Sequence, residues 1–298
     1  MLDKSIYNYL SDRDEEIFTQ FLNDETNNWS FPHTVHNIRT ESGDTYIVES
    51  GKENTETILY LHGYGLNSIS GKKFLSGLGK KYHVLAPDIM WQIGRSVPRH
   101  AIDKKKLVEC YGKWIIEVLD YFRIEKVNIV GLSFGAWITM SFALKHSDRI
   151  KTITAISPAG FFAPLNLSLL YDQIRSAFFP GRSNIRKFIV NSYGKKNILD
   201  EFDYELLTMV MKHCRKNSPA LVPATVFTDS ELGMIKNPLL LIIGTDDIYL
   251  KKDRICERVS RLVKNAKIVQ LENAAHYLHN THYDKVEKEV MELIEKRL

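Results

Sequence analysis

Cysteine is scarce in this chain. Cys110, Cys214 and Cys256 are an odd number, are widely spaced and form no Cys-x-x-Cys. A disulfide framework is therefore not expected, and a reducing compartment, the cytoplasm, is the simplest setting. Long apolar runs are also lacking. The most compact, Leu239 to Ile243, falls far short of the roughly 20 apolar residues that a membrane helix needs, so no integral membrane segment is expected. The first ten residues carry no apolar stretch and no small-residue cleavage site, which argues against a signal peptide. Neither charge dominates: 40 Lys and Arg against 36 Asp and Glu leave a net +4, spread along the chain. Without a basic stripe or a matching motif, nucleic-acid binding is not expected. No Gly-x-Gly-x-x-Gly or phosphate loop follows the early apolar runs, so no dinucleotide cofactor is expected. What remains is an ordinary globular composition, 44% hydrophobic and 26% charged over 298 residues. That length suits one large domain or two smaller ones.

Periodicity sets out the elements. Residues 5–23 read as an amphipathic helix with Ile6, Tyr9, Leu10, Ile17, Phe21 and Leu22 on one face. Residues 34–41 and 44–49 read as a hairpin around Ser42-Gly43-Asp44. Six near-continuous apolar runs follow, at 57–61, 82–86, 127–130, 152–156, 238–243 and 267–271. Such runs suit strands covered on both faces, as in a parallel sheet. The clearest helix is 103–122. Leu107, Cys110, Tyr111, Trp114, Ile115, Val118, Leu119 and Phe122 make its stripe, and Asp103 is its expected N-cap. Lys104 to Lys106 read as a solvated face of that helix. Weaker helical periods cover 251–263 and 282–297. Alternating strands and helices predict an α/β fold with a mostly parallel central sheet and helices on both faces.

Residues 158–236 interrupt that alternation with five prolines and several helical pieces. An insertion of this length between two strands reads as a helical cap. The expected organisation is a core over 1–157, a cap over 158–236 and a second part of the core over 237–298. The cap's aromatic residues Phe161, Phe162, Tyr171, Phe178 and Phe179 suggest an apolar acyl or aryl group in a ligand, or simply the cap's own packing.

Three short stretches carry chemistry. Gly131-Leu132-Ser133-Phe134-Gly135 follows an expected strand and opens an expected helix. A nucleophilic serine needs such a sharp turn, and the crowded backbone there calls for glycine on both sides. His62-Gly63-Tyr64-Gly65 ends the strand 57–61. An oxyanion needs two preorganised N–H donors, and the backbones of Tyr64 and Phe134 are the candidates, with Gly63 and Gly65 allowing close approach. His62 is expected to brace that loop. A serine hydroxyl also needs a base, and the base an orienting acid. Strand 238–243 leads to Asp246-Asp247, and strand 267–271 leads to His276. Asp247 is the preferred acid and Asp246 the alternative. His276, His279 and His282 are spaced i, i+3, i+6, which drifts around a helix without any accompanying ligand set, so no metal is expected.

Together these motifs resemble the α/β-hydrolase superfamily over roughly residues 30–298. The resemblance rests on HGYG at 62–65, APD at 86–88, IGRS at 93–96, GLSFG at 131–135, GTDD at 244–247 and NAAH at 273–276. Ser96-Val97-Pro98, Val226 to Leu232 and Ile248-Tyr249 are further similar to a group of bacterial carboxylesterases active on aryl-substituted acid esters. The resemblance implies Ser133 as nucleophile, His276 as general base and acid, and Asp247 as orienting acid. It implies oxyanion N–H groups at Tyr64 and Phe134. The chain departs from the family at Trp91-Gln92-Ile93 and at Thr281-His282-Tyr283, which bear on the pocket rim rather than on the triad, and at Ala275, where relatives often have glycine. The expected function is a serine hydrolase that cleaves small apolar or aryl carboxylic esters without a cofactor. The same triad serves acyltransferases, thioesterases and C–C bond hydrolases. The scaffold also serves ligand binding, and residues 161–179 could sit on a membrane surface.

Overall fold

The computed structural model describes residues 8–167, 182–195, 197, 201–214 and 225–296. Among the described residues nine strands form one sheet: β1 (His33–Arg39), β2 (Gly43–Ser50), β3 (Thr57–Leu61), β4 (His83–Pro87), β5 (Val97–Pro98), β6 (Val127–Leu132), β7 (Ile150–Ile156), β8 (Leu239–Gly244) and β9 (Ala266–Leu271). Their order across the sheet is β1-β2-β4-β3-β6-β7-β8-β9, with β5 beside β2. The hairpin β1–β2 joins β4 antiparallel, and every pairing from β4 to β9 is parallel. The fold class and all six apolar runs are as the sequence predicts.

Alternation along the strands separates two cores. Leu59, Leu61, Leu239, Leu241 and Ile243 face one side, against α3 (Leu107–Tyr121), α4 (Phe134–Lys145) and α8 (Lys252–Leu262). Ile58, Tyr60, Leu240 and Ile242 face the other, against α1 (Asp12–Asn27), α2 (Lys72–Gly79) and α10 (Tyr283–Lys296). Helix α4 is apolar all round and buried from Phe134 to Ala143, as a central helix must be.

Three expectations are corrected. Helix α1 begins at Asp12, because the Ser11 side chain accepts from the Asp14 N–H and caps it. Its buried stripe is Phe18, Leu22 and Thr26, at i, i+4 and i+8, while Leu10 and Ile17 are exposed; Ile6 lies outside the described residues. Asp103 does not cap α3. Its carboxylate accepts from the Lys105 N–H in a turn, and the helix starts four residues later, so Lys104 to Lys106 are exposed but precede it. Phe161 and Phe162 are not surface residues. They are fully buried and join Phe227, Leu232 and Ile235 in the α8-side core. Tyr171, Phe178 and Phe179 lie outside the described residues.

Between β7 and β8, α5 (Arg182–Tyr193) and α6 (Glu201–His213) pack over the α2-side core through Ile185, Phe188, Ile189, Leu206 and Leu207. Arg258 clasps the chain where this insertion leaves and returns. It donates to the carbonyls of Phe162 (2.7 Å) and Phe227 (2.6 Å), and pairs with Asp229 at the start of α7 (Asp229–Gly233).

Candidate active site

Strands β3, β6, β7, β8 and β9 lie side by side and parallel, so the segments after them gather at one edge of the sheet. Ser133 sits between β6 and α4 at φ 50, ψ −107, a region that costs an L-residue energy. Its N–H donates to the Ile156 carbonyl, and its own carbonyl accepts from Trp137 and Ala159. The residues two before and two after it must be glycine. A Cβ on Gly135 would stand 2.0 Å from the Leu61 carbonyl oxygen, and one on Gly131 would stand 2.5 Å from the Gly135 carbonyl oxygen.

The structure brings the three sequence-predicted residues into one chain of hydrogen bonds. Ser133 Oγ and His276 Nε2 are 2.9 Å apart, and His276 Nδ1 and Asp247 Oδ2 are 2.8 Å apart. All three residues are buried. A carboxylate accepts from a protonated Nδ1, which leaves Nε2 unprotonated to accept from the serine hydroxyl. The second oxygen of Asp247 accepts the Tyr249 N–H (2.9 Å), and the Tyr249 ring meets the His276 ring edge to face. Asp246 is exposed, and its carboxylate accepts from Thr245.

The segment 62–65 runs beside Ser133. A Cβ on Gly63 would be 3.5 Å from Ser133 Cβ, an ordinary contact, and the Tyr64 ring packs edge-on against Phe134. Close approach is therefore demanded at Gly135 rather than at Gly63. Gly65 is needed for its φ of 71 in the turn closed by the Leu66 N–H on the Gly63 carbonyl. Phe134 is the first residue of α4, where a helix leaves its N–H groups without intrahelical acceptors.

His62 braces this loop. It accepts the Ile89 N–H at Nε2 and bonds the Gly63 carbonyl through Nδ1, and burial lowers its pKa, so it stays neutral. The next support is Asp88, fully buried. It accepts from the Ser68 N–H and pairs with Arg95 (3.0 Å); burial opposes its charge, but Arg95 and the donors around it hold its pKa below the ordinary carboxylate value.

The three histidines at 276, 279 and 282 part company. His276 joins Ser133 and Asp247, and His282 bonds the Thr281 hydroxyl. His279 is buried with no hydrogen-bond partner at either ring nitrogen among the described residues, and burial lowers its pKa to about 3.

The family model for the alpha/beta hydrolase fold matches residues 56–198. The chain has the alpha/beta hydrolase fold. It is 26% identical over 279 residues to the carboxylesterase nap of Bacillus subtilis, covering 92% of this chain and 91% of that one. The crystal structure of the carboxylesterase CesB (YbfK) from Bacillus subtilis superposes with a TM-score of 0.87 at 21% identity, over 96% of this chain and all of that one. That of naproxen esterase from the same organism superposes with a TM-score of 0.85 at 25% identity, over 95% and 99%. Within this hydrolase fold, three residues packed in and around the His276 segment escaped the motifs: Ser192, whose carbonyl accepts the Tyr277 N–H, and Asp203 and Asn280, the first accepting from the second. Each acts through a contact between distant elements, which local spacing does not encode.

Proposed function

We propose that this protein is a serine carboxylesterase for small apolar or aryl esters. The observation that carries this reading is the bonded series Ser133 Oγ, His276 Nε2, His276 Nδ1 and Asp247 Oδ2, mounted on the strained turn ahead of a buried helix. His276 takes the hydroxyl proton as Ser133 Oγ bonds the ester carbonyl carbon. The N–H groups of Tyr64 and Phe134 donate to the oxyanion so formed. The C–O bond to the alcohol then breaks, and His276 returns the proton to the departing oxygen. Water, deprotonated by His276, attacks the acyl-enzyme, and the acid leaves as Ser133 regains its proton. Asp247 keeps the imidazole in the required tautomer and stabilises it when charged. The ester preference rests on aromatic side chains next to the serine: Phe134 stacks on Trp137 and meets Tyr64 and Tyr111 edge-on. A cytoplasmic setting belongs to the same reading, with Cys110, Cys214 and Cys256 all free. Among the described residues no helix is long and apolar enough to cross a membrane.

Intact-mass labelling with a fluorophosphonate tests the reading. Wild type is expected to gain one adduct and Ser133→Ala none, with hydrolysis of p-nitrophenyl butyrate lost on the order of 10⁴-fold or more. A well-folded wild type that takes no label would overturn it. A chain-length series of nitrophenyl esters tests the acyl preference, and a flat profile beyond acetate would remove it.

A further inference from the structure

The segment that carries His276 is held from above by the cap helices. The Tyr277 N–H, next to the histidine, donates to the Ser192 carbonyl in α5 (2.9 Å). The Asn197 side-chain amide donates to the Asn273 carbonyl (3.2 Å), and Gly194 lies against Ala275. Four residues beyond His276, in α9 (Leu278–Thr281), the Asn280 amide donates to Asp203 Oδ2 in α6 (2.7 Å) and stands 3.2 Å from the Tyr193 hydroxyl in α5. Asp203 is only 5% exposed and makes no ion pair at salt-bridge distance among the described residues. Burying a carboxyl in this way costs free energy.

We propose that Asp203 is a positioning residue for His276: from the cap it fixes Asn280, and so the turn that aims the histidine at Ser133. This rests on the serine-esterase reading. It makes the seating of the cap a condition for a competent triad rather than a matter of substrate access alone.

The seat is also linked to protons. The groups facing the Asp203 carboxyl are Lys72 and Lys73 of α2, Asn280 and Tyr277 of the histidine segment, and Tyr60 of β3. Burial outweighs the Asn280 hydrogen bond and the two lysines and raises the carboxyl pKa to about 7. In an opened cap the carboxyl is hydrated and titrates near its ordinary value. Protonation therefore favours the seated cap. That advantage is complete below about pH 4, is lost as pH rises towards 7, and does not change further above it.

The experiment combines fluorophosphonate labelling, steady-state hydrolysis of p-nitrophenyl butyrate and hydrogen exchange on the full chain. Asp203→Ala and Asn280→Ala are each expected to lower kcat roughly tenfold with KM unchanged, and the double variant no further, since one bond is being removed. Asp203→Asn is expected to restore kcat, because its amide oxygen still accepts from Asn280. Protection of the 201–213 amides in wild type is expected to fall at least about tenfold between about pH 5 and about pH 7.5, and to stay level in Asp203→Asn. Unchanged kcat in both alanine variants, a change in KM alone, or pH-independent protection in wild type would overturn the proposal. If Asp203→Ala does not fold, Asn280→Ala and Asp203→Asn carry the comparison. A wild type that takes no label would overturn the esterase reading and this inference with it, and is seen before any variant is compared.

Discussion

At the scale of single residues, the site depends on backbone that tolerates no side chain. Ser133 is held at positive φ because its N–H and carbonyl are both committed, to Ile156 and to Trp137 and Ala159. Gly135 is the point where α4 touches β3, with backbone on both sides and nothing flexible to yield. Gly135→Ala is expected to destabilise the protein by about 3 kcal/mol or more, at the upper end of overpacking costs. Urea unfolding of the variant checks this, and a midpoint equal to wild type would contradict it. The contrast with Gly63, whose absent Cβ would meet only ordinary contacts, separates a steric requirement from a motif letter.

At the scale of elements, Arg95 joins three segments that are far apart in sequence. Its guanidinium pairs with Asp88 after β4, donates to Ser68 in the loop below Tyr64, and reaches the Leu22 carbonyl and Thr26 hydroxyl of α1. It also lies 3.7 Å over the Tyr46 ring. Helix α1 and the residues just before it extend this connection to α6: Asp14 pairs with His213, and the Leu10 N–H donates to the His213 carbonyl. Arg95→Met keeps most of the side-chain volume but leaves the Asp88 carboxylate buried and unpaired. A loss of about 3–5 kcal/mol is expected in denaturant titration. Asp88→Asn combined with Arg95→Met is expected to recover part of it, because no buried charge is then left alone. A double variant no more stable than Arg95→Met would argue that packing, not charge, is what Arg95 supplies.

At the scale of the whole molecule, buried titratable groups oppose one another. His62 and His279 have pKa values lowered by burial. They stay neutral in the fold and take up protons on unfolding below about pH 6.5, so acidification removes the stability they contribute. Asp203 and Glu287 have pKa values raised to about 7 by burial. The fold keeps their protons where the unfolded chain has released them, so acidification from pH 7 towards 4 adds stability. The two slopes offset each other. Replacing Asp203 with Asn removes one of the stabilising contributions. The variant is expected to lose stability more steeply than wild type between about pH 6.5 and about pH 4.5, by up to about 1.4 kcal/mol per pH unit. Urea titrations of both proteins across that range check this, and parallel curves would contradict it.

Local pattern was enough for the strands, the parallel sheet and the three residues of the bonded series. Each of these is written within a few residues: an apolar run, glycines around a serine, an aspartate or a histidine just past a strand. Parallel pairing then brings those strand ends together without further information. Local pattern preferred Asp247 and kept Asp246 as the alternative, and the contest between them lay with the fold. It was decided by which carboxylate turns inward, and the Tyr249 N–H and His276 hold Asp247 there. The start of α1 was set by a local cap, Ser11 on the Asp14 N–H, which the helical period alone does not show, and the burial of Phe161 and Phe162 was decided by packing against distant segments. The same holds for Asp203 and Asn280, 77 residues apart. On its own each reads as an ordinary polar helix residue, and only the packing of α6 against α9 makes them partners, because the cost of burying a carboxyl arises only once another element has covered it.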